Sequence, residues 1–175
     1  RRYIASLTKI LTSILVIETF QLDEFIKVSL ENIPDDLDWQ LGVEEGDMMS
    51  VGNILKAMLI SSYNDIPFII ANAYPKGGYT GFVNDMNSKA RDLRMFNSKF
   101  SNPAGIDIEE NYSTAFDVAL LVTSALQYED ILNIVSEGSD IVNWSRDTQV
   151  ISKEIYTTNQ LWGVNPYSKG FKTGI

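Results

Sequence analysis

Apolar side chains recur at helical spacing near the start of the chain. They follow an i, i+3, i+4 pattern after Ser6 and comprise Ile10, Leu11, Ile14, Leu15 and Ile17. Ser6 and Thr8 place hydroxyl groups at the beginning of this stretch, where side-chain oxygens accept hydrogen bonds from the free backbone N–H groups of a first turn. The pattern predicts a buried helix that begins at Ser6.

The next part of the chain predicts loops followed by two capped helices. Residues 21–49 contain Pro, Asp and Gly at intervals typical of loops or short strands with a few apolar anchors. Ser50 is placed to cap a first helix. Asp65 is placed to cap a second one, in which Pro67 fits the first turn and which is expected to end near Tyr74.

Two further helices are predicted after these. Amphipathic spacing indicates one helix over about 82–93 and another over about 116–135. Ser113 or Thr114 is expected to open the second of them. The segment FSNPAGID between the two helices is expected to be a loop.

The end of the chain is rich in β-branched and aromatic residues. From Ile141 onward they lack a 3.6-residue period and predict strands over about 141–175. Together with a helical region over about 50–136, this pattern predicts an α+β fold, with a helical cluster packed on an antiparallel sheet. We expect residues 1–175 to belong to a single domain.

Composition removes several kinds of chemistry. The 175 residues include no histidine and no cysteine, which excludes disulfides and thiolate nucleophiles and removes the commonest metal ligands, so we expect neither a metal nor a cofactor. The formal net charge of −9 argues against nucleic acid as a partner. The longest apolar run, residues 10–17, is far shorter than the ~20 residues that a bilayer span needs. A nucleophilic serine in this chain would need a base other than histidine, and lysine is one of the few candidates.

Lys9 follows Ser6 by three positions in an otherwise apolar stretch. Residues i and i+3 share one face of a helix, so the hydroxyl and the amine can meet. An apolar wall and the positive end of the helix dipole both disfavour an ammonium ion, and a neutral amine can act as a base. The alternative is a helix cap with a lysine that extends to solvent, and so short a pattern does not separate the two.

A second motif, SYN at residues 62–64, lies in a loop between two predicted helices. There the hydroxyl of Ser62 could relay a proton while the amide of Asn64 binds a carbonyl group. The simpler interpretation is that both side chains only end one helix while Asp65 caps the next. Taken alone, the motif favours this simpler interpretation.

A third motif, KTG at residues 172–174, is the rarest of the three in a chain of this composition. On an edge strand Lys172 would supply charge, Thr173 a hydroxyl group, and Gly174 room for a ligand to approach the backbone. Together they could bind a carboxylate. The alternative is a plain strand end that leads into a turn.

The motifs SxxK, SxN and KTG occur once each and in this order, a combination far more specific than any one of them. With them the chain resembles the penicillin-recognising serine DD-peptidases, most closely the D-alanyl-D-alanine carboxypeptidases among the low-molecular-mass penicillin-binding proteins. The segments QLDEFIKVS, LGVEEGDMMSVGNIL, FVNDMNSKARDLRMFNSKFSNPAGID and YSTAFDVALLVTSAL also resemble that family. The similarity covers essentially the whole chain.

The resemblance implies a β-lactamase/transpeptidase-like fold and a serine-type D-Ala-D-Ala carboxypeptidase. Such an enzyme acts on peptidoglycan stem peptides outside the cytoplasm and is acylated by β-lactams. Ser6 would be the nucleophile and Lys9 its base, while Ser62 and Asn64 would relay protons and bind substrate. Membrane association would come only from segments outside these 175 residues.

The resemblance also implies a binding site for the terminal carboxylate of the substrate. Lys172 and Thr173 would hold that carboxylate, next to Gly174. The oxyanion hole of the family consists of two backbone N–H groups, which here would be those of Ser6 and Ile175.

Three features depart from the pattern of the family. Tyr63 is bulkier than the small residue that usually separates serine from asparagine, and Ala104 and Ile106 stand where the family often has histidine and leucine. The strands that flank the active-site helix and follow KTG in the family are absent, so we expect an incomplete sheet. Because the chain opens in mid-pattern and stops just after a motif, we interpret it as part of a longer protein.

Three alternatives stay open. A β-lactamase of the same fold needs an efficient base for deacylation, and EDILN at residues 129–133 matches the Glu-x-x-Leu-Asn motif of class A β-lactamases. Here, however, EDILN lies within the predicted helical run, whose Ile131, Leu132 and Val135 have the spacing of core residues. A DD-endopeptidase and a non-catalytic peptidoglycan-binding module are the other two alternatives.

Overall fold

The computed structural model describes residues 1–106, 110–165 and 170–174. The helices in these residues are α1 (Thr8–Thr19), α2 (Val51–Leu59), α3 (Ile66–Asn72), α4 (Gly78–Asp92), α5 (Ala115–Ala125) and α6 (Glu129–Val135). The strands are β1 (Phe25–Lys27), β2 (Met48–Ser50), β3 (Ser139–Arg146) and β4 (Gln149–Tyr156). A single 3₁₀ turn, Ala5–Leu7, leads directly into α1.

Helix α1 runs through the centre of the helical cluster. Every residue from Thr8 to Val16 is buried, as expected of a helix enclosed on all sides by α2, α3, α4 and α5. The predicted buried helix is therefore confirmed, but Ser6 lies in the 3₁₀ turn and not in the α-helix. Ala5, directly before it, has a φ of 44°. The left-handed region is costly for a residue with a Cβ, so the contacts around Ser6 must hold this conformation.

The caps of α2 and α3 form as predicted. Ser50 Oγ accepts a hydrogen bond from the Asn53 N–H of α2, and the Asp65 carboxylate accepts one from the first N–H of α3. Helix α3 ends at Asn72, short of the predicted Tyr74. Tyr74 precedes a proline, whose ring disfavours the helical conformation of the residue before it.

The helix predicted over 116–135 is two helices, which meet at a bend of 105°. Tyr128 leaves the helical path between α5 and α6, and its hydroxyl donates a hydrogen bond to Glu18 of α1. A tertiary contact therefore overrides the local helical pattern. Among the described residues no single helix is long and apolar enough to cross a membrane, and the α5–α6 pair meets that test only with its bend.

The four strands form one antiparallel sheet in the order β1-β2-β3-β4. The β3–β4 hairpin pairs Ser139 with Tyr156 at its open end and Arg146 with Gln149 at its turn. Helix α2 packs on β2 and β3, and the sheet residues Val142, Trp144 and Ile155 join the hydrophobic core shared with α1. The predicted α+β fold, with a helical cluster on an antiparallel sheet, is confirmed.

The C-terminal strands end earlier than predicted. Of the expected strand region 141–175, only the β3–β4 hairpin is present, and after Tyr156 the described residues contain no strand. The KTG motif therefore does not lie on an edge strand. The hydroxyl of Thr173 forms a hydrogen bond with the hydroxyl of Thr158 in the neighbouring coil. Among the described residues, no backbone hydrogen bonds join these two segments.

Candidate active site

Ser6 and Lys9 lie one turn apart at the start of the central helix. The 3₁₀ turn and the first turn of α1 bring Lys9 Nζ to 2.8 Å from Ser6 Oγ. Lys9 is completely buried, so its amine does not extend to solvent, and Ser6 keeps 9% of its surface exposed. The distance between the hydroxyl and the amine is that required for proton transfer.

Three oxygen atoms surround the amine of Lys9. Besides Ser6 Oγ, the side-chain Oδ1 of Asn64 lies 2.8 Å from Nζ and the backbone oxygen of Ala104 lies 2.9 Å away. None of these three atoms belongs to a carboxylate. An ammonium ion could donate one N–H to each, whereas a neutral amine would donate to two of them and accept from the third.

The surroundings of Lys9 favour its neutral form. Burial is the largest cause that lowers the pKa of Lys9 well below the ordinary value of 10.5. The positive charge of Lys172 lowers this pKa further, while the carboxylate of Asp65 raises it. Burial also raises the pKa of Asp65, against hydrogen bonds from backbone groups that include the N–H of Leu41 and of Ile66. A neutral amine can accept a proton from Ser6.

The loop between α2 and α3 carries Ser62 into the site. Ser61 pins this loop to β4, because its hydroxyl donates to the Tyr156 carbonyl at 2.7 Å and accepts from the Tyr156 N–H at 3.0 Å. Ser62 then adopts a left-handed φ of 64°. Strained backbone of this kind persists only where the surrounding structure fixes it, and it is concentrated at functional sites.

The side chain of Ser62 lies at the same pocket as the nucleophile. With Ser6, Trp39 and Asn64 it lines a small pocket of about 160 Å³. Ser62 is only 6% exposed, and its Oγ makes no hydrogen bond within the described part of the chain. A serine hydroxyl at the same pocket as the nucleophile can pass a proton.

The amide of Asn64 is held in a fixed orientation. Its Oδ1 accepts from Lys9, and its Nδ2 donates to the Asp38 carbonyl at 3.0 Å. The backbone N–H of Asn64 donates to the Trp39 carbonyl, which ties the loop to the segment before it. Since an amide nitrogen carries two N–H groups, the second remains for a ligand carbonyl.

Tyr63 does not narrow the cleft. Its ring is 7% exposed and stacks on Trp39 with a centroid distance of 5.8 Å. The ammonium of Lys153 lies 4.8 Å from the centroid of the same ring. The side chain therefore packs behind the loop and is not among the residues that line either pocket at Ser6.

A larger cavity of about 320 Å³ opens from Ser6 and Asn64 toward solvent. Its walls are Pro34 and residues 36–38 on one side and Gly105 with Ile106 on the other. Ala104 is itself buried, so the departure from histidine at this position leaves only its backbone carbonyl in the site, directed at Lys9. That carbonyl is a site group that sequence reasoning missed, because a backbone oxygen has no residue-type signature.

The KTG segment lies beside the start of α1, outside the residues that line the two pockets at Ser6. Burial lowers the pKa of Lys172 to about 8, and its ammonium donates to the Thr173 carbonyl at 2.8 Å. A Cβ on Gly174 would approach the Ile4 carbonyl to 3.3 Å, so the segment packs closely on the 3₁₀ turn. Ile175, the second group expected in the oxyanion hole, lies outside the described residues.

A protein-family model matches all of the segments that contribute residues to this site. The model of the D-alanyl-D-alanine carboxypeptidase family of peptidases matches residues 1–175. The chain belongs to this family.

Two relatives resemble this family member over nearly its whole length. It is 31% identical over 175 residues to the D-alanyl-D-alanine carboxypeptidase DacF of Bacillus subtilis, and 31% identical over 176 residues to a D-alanyl-D-alanine endopeptidase of Escherichia coli. Each comparison covers 97% of this chain, but 44% of the first protein and 56% of the second. The chain spans about half the length of these relatives.

Solved structures agree with the fold of the family member. A Streptomyces DD-transpeptidase matches with a TM-score of 0.92 at 24% identity, over 99% of this chain and 71% of that one. A D-alanyl-D-alanine carboxypeptidase from Mycobacterium tuberculosis matches with a TM-score of 0.84 at 24% identity, over 99% and 64% of the two chains. These similarities establish the DD-peptidase/β-lactamase-like fold.

The EDILN segment forms the first residues of α6 and contributes Ile131 to the hydrophobic core. Glu129 begins α6, in which Ile131 and Val135 are buried and Leu132 is half-buried. Among the described residues that line the cavity at Ser6, the carboxylates are the exposed Asp36 and Asp38, and Glu129 is not one of them. The described part of the chain also holds no group of three or more carboxylates placed to bind a metal ion.

Proposed function

We propose that this chain carries the active site of a serine-type D-Ala-D-Ala carboxypeptidase, which removes the terminal D-alanine of peptidoglycan stem peptides through an acyl-enzyme. The observation that carries the proposal is the buried amine of Lys9, 2.8 Å from Ser6 Oγ. Membership of the carboxypeptidase family and the name of the Bacillus subtilis relative support this reaction. The enzyme would act outside the cytoplasm, where peptidoglycan lies.

Acylation would proceed by transfer of one proton to Lys9. As Ser6 Oγ attacks the carbonyl carbon of the penultimate D-alanine, the lone pair of the neutral amine takes the hydroxyl proton. The Oγ–C bond forms and the peptide C–N bond then breaks. The proton held by Lys9 would return to the leaving amine through the hydroxyl of Ser62, and water would later hydrolyse the ester.

The remaining groups would bind the substrate. The free N–H of the Asn64 amide would hold a peptide carbonyl, and the backbone N–H groups of Ser6 and Ile175 would stabilise the oxyanion. Lys172 and Thr173 would bind the terminal carboxylate. With a pKa of about 8, the Lys172 ammonium is mostly charged at neutral pH and loses its charge above pH 8.

Endopeptidase action on cross-linked peptides is the second candidate. The observation in its favour is the Escherichia coli relative, which is named an endopeptidase and is as similar to this chain as the carboxypeptidase. The two activities differ in whether the peptide bond to be cut is followed by a free carboxylate.

Substrates that differ only at this carboxylate test the proposal. We expect the full-length protein to release free D-Ala from a peptide that ends in D-Ala-D-Ala, and to act about 10- to 100-fold more slowly when the C-terminus is amidated, because a charge-assisted hydrogen bond worth roughly 1.5–3 kcal/mol is lost. Lys172→Gln should remove most of this preference. Lys76→Gln, which changes an exposed lysine before α4, should leave it intact.

The outcomes separate the classes of function. Equal turnover of the acid and the amide would contradict the carboxypeptidase assignment and favour an endopeptidase. Rapid hydrolysis of a penicilloyl ester without D-Ala release would identify a β-lactamase. Neither D-Ala release nor covalent labelling by penicillin would identify a binding module.

A further inference from the structure

Three oxygen atoms lie within hydrogen-bond distance of Lys9 Nζ, but a neutral amine has only two N–H groups to donate. Asn64 Oδ1 and the Ala104 oxygen are carbonyl-type atoms and can only accept hydrogen bonds. The Asn64 amide cannot turn its nitrogen to Lys9, because its Nδ2 already donates to the Asp38 carbonyl. A neutral amine therefore directs both of its N–H groups at these two oxygens.

The direction of the lone pair follows from these two contacts. With both N–H groups taken, the remaining tetrahedral position on Lys9 Nζ points at Ser6 Oγ, the third neighbour at 2.8 Å. If the Ala104 oxygen were displaced, the amine could rotate about its last bond and donate an N–H to Ser6. Its lone pair would then point away from the proton that it must accept.

A single side chain shapes the turn that presents the Ala104 oxygen. Asn102 Oδ1 accepts hydrogen bonds from the N–H groups of Ala104, Gly105 and Ile106 at 3.2, 2.8 and 3.0 Å. Its Nδ2 donates to the Ile106 carbonyl at 3.0 Å. Asn102 is only 5% exposed and contacts neither Ser6 nor Lys9 through a hydrogen bond.

Two further contacts hold this turn against α1. Thr12, one turn after Lys9, donates from its hydroxyl to the Pro103 carbonyl at 2.7 Å, so that successive residues of the turn are bound from one face of the helix. Gly105 has a φ of 82°, and a Cβ there would lie 1.9 Å from the Ala5 carbonyl oxygen. The turn can approach the Ser6 segment this closely only with glycine at that position.

We propose that Asn102 is a positioning residue for Lys9: it folds the turn of residues 102–106 so that the Ala104 carbonyl fixes the direction in which the amine presents its lone pair to Ser6. This role deepens the proposed function and rests on it, because it takes Lys9 as the base. Asn102 acts through Ala104 and touches no reacting atom.

The ionisable groups that shift the pKa of Lys9 lie outside α1 and outside the turn of residues 102–106. Asp65 at the start of α3 raises the pKa of Lys9, and Lys172 of the C-terminal segment lowers it. The turn of residues 102–106 contains no ionisable side chain. A change in this turn therefore alters the burial and hydrogen bonding of Lys9 without removing a charge.

The test compares two asparagines that hold the two ends of one loop. Asn102→Ala removes the bonds at residues 104–106, whereas Asn87→Ala removes equivalent side-chain bonds to both backbone groups of Phe100. In the full-length protein we expect Asn102→Ala to lower the maximal rate of acylation by a penicillin about 10- to 100-fold, the effect of a small misplacement. Asn87→Ala should stay close to wild type.

Two more readouts distinguish positioning from a general loss of structure. Asn102→Ser retains a side-chain oxygen that can accept from the N–H groups of the turn without adding a charge, and it should recover part of the acylation rate. The ¹³Cε chemical shift of ¹³C-labelled lysine, assigned to Lys9 by its absence in Lys9→Arg, gives the titration midpoint directly. This midpoint should rise in Asn102→Ala, because an opened turn admits water and burial is the largest cause of the low pKa.

A wild-type acylation rate in Asn102→Ala would overturn the role of Asn102. Equal losses in Asn102→Ala and Asn87→Ala with an unmoved Lys9 midpoint would overturn it as well, and would indicate a structural role only. If the wild-type protein itself is not acylated, the proposed function fails. The titration midpoint of Lys9 in Asn102→Ala then decides the positioning role by itself.

Discussion

Ser6→Ala should abolish covalent labelling of the full-length protein by a fluorescent penicillin. Ser6 Oγ is the hydroxyl held 2.8 Å from the Lys9 amine, and no other serine of the chain is followed by lysine at the third position. Without that oxygen no ester can form, and we expect the acylation rate to fall by a factor of about 10⁴ or more. Gel fluorescence and the intact mass measure the label.

Ser13→Ala is the matched control for this loss. Ser13 is also buried in α1, but its hydroxyl donates to the Ile10 carbonyl at 2.8 Å and faces no base. This variant should label like the wild type. Persistent labelling of Ser6→Ala would place the nucleophile at another residue.

Lys9→Arg should remove acylation, and it should also lower the melting temperature, because it fixes a positive charge at a buried position that favours a neutral amine. A guanidinium stays protonated in proteins, so it can donate to Asn64 and Ala104 but cannot accept the proton of Ser6. Loss of a general base costs about 10²- to 10⁴-fold in rate. Stopped-flow acylation by penicillin measures the rate constant, and circular dichroism with the melting temperature reports the fold.

Two control variants separate the loss of the base from effects of side-chain size and charge. Lys9→Met keeps the length of the buried side chain without its charge and should be equally inactive. Lys153→Arg changes a lysine that donates to the Leu41 carbonyl at 2.9 Å behind the SYN loop, and it should acylate normally. Near wild-type acylation by Lys9→Arg would require a different base for Ser6.

The parts of the site that the sequence predicts are those with a local signature. Ser6 and Lys9 meet because they are three residues apart in one turn, and helical spacing alone places them together. Asn64 comes from 55 residues further along the chain, yet its side chain is part of a recognisable motif. The Ala104 carbonyl comes from 95 residues after Lys9, and an alanine gives no indication that its backbone oxygen belongs to a site.

For the fold as well, the sequence predicts local contacts but not long-range ones. Caps at Ser50 and Asp65 depend on side chains that bond to the adjacent turn, and both form as predicted. The break at Tyr128 depends on a hydrogen bond to a helix more than a hundred residues earlier, and local periodicity does not contain it. The strand expected at Lys172 is absent because a strand needs a neighbour, and composition cannot supply one.

The pH dependence of acylation tests most directly whether a neutral, buried Lys9 activates Ser6. The measurement is the second-order rate constant for penicillin with the full-length protein, from about pH 5 to about pH 11. We expect an acid limb whose midpoint lies well below the ordinary lysine value of 10.5, since burial lowers the pKa of Lys9, and a decline above about pH 8 as Lys172 loses its charge. A rate that keeps rising up to pH 10.5 would contradict the account, because Lys9 would then be an ordinary ammonium ion at neutral pH.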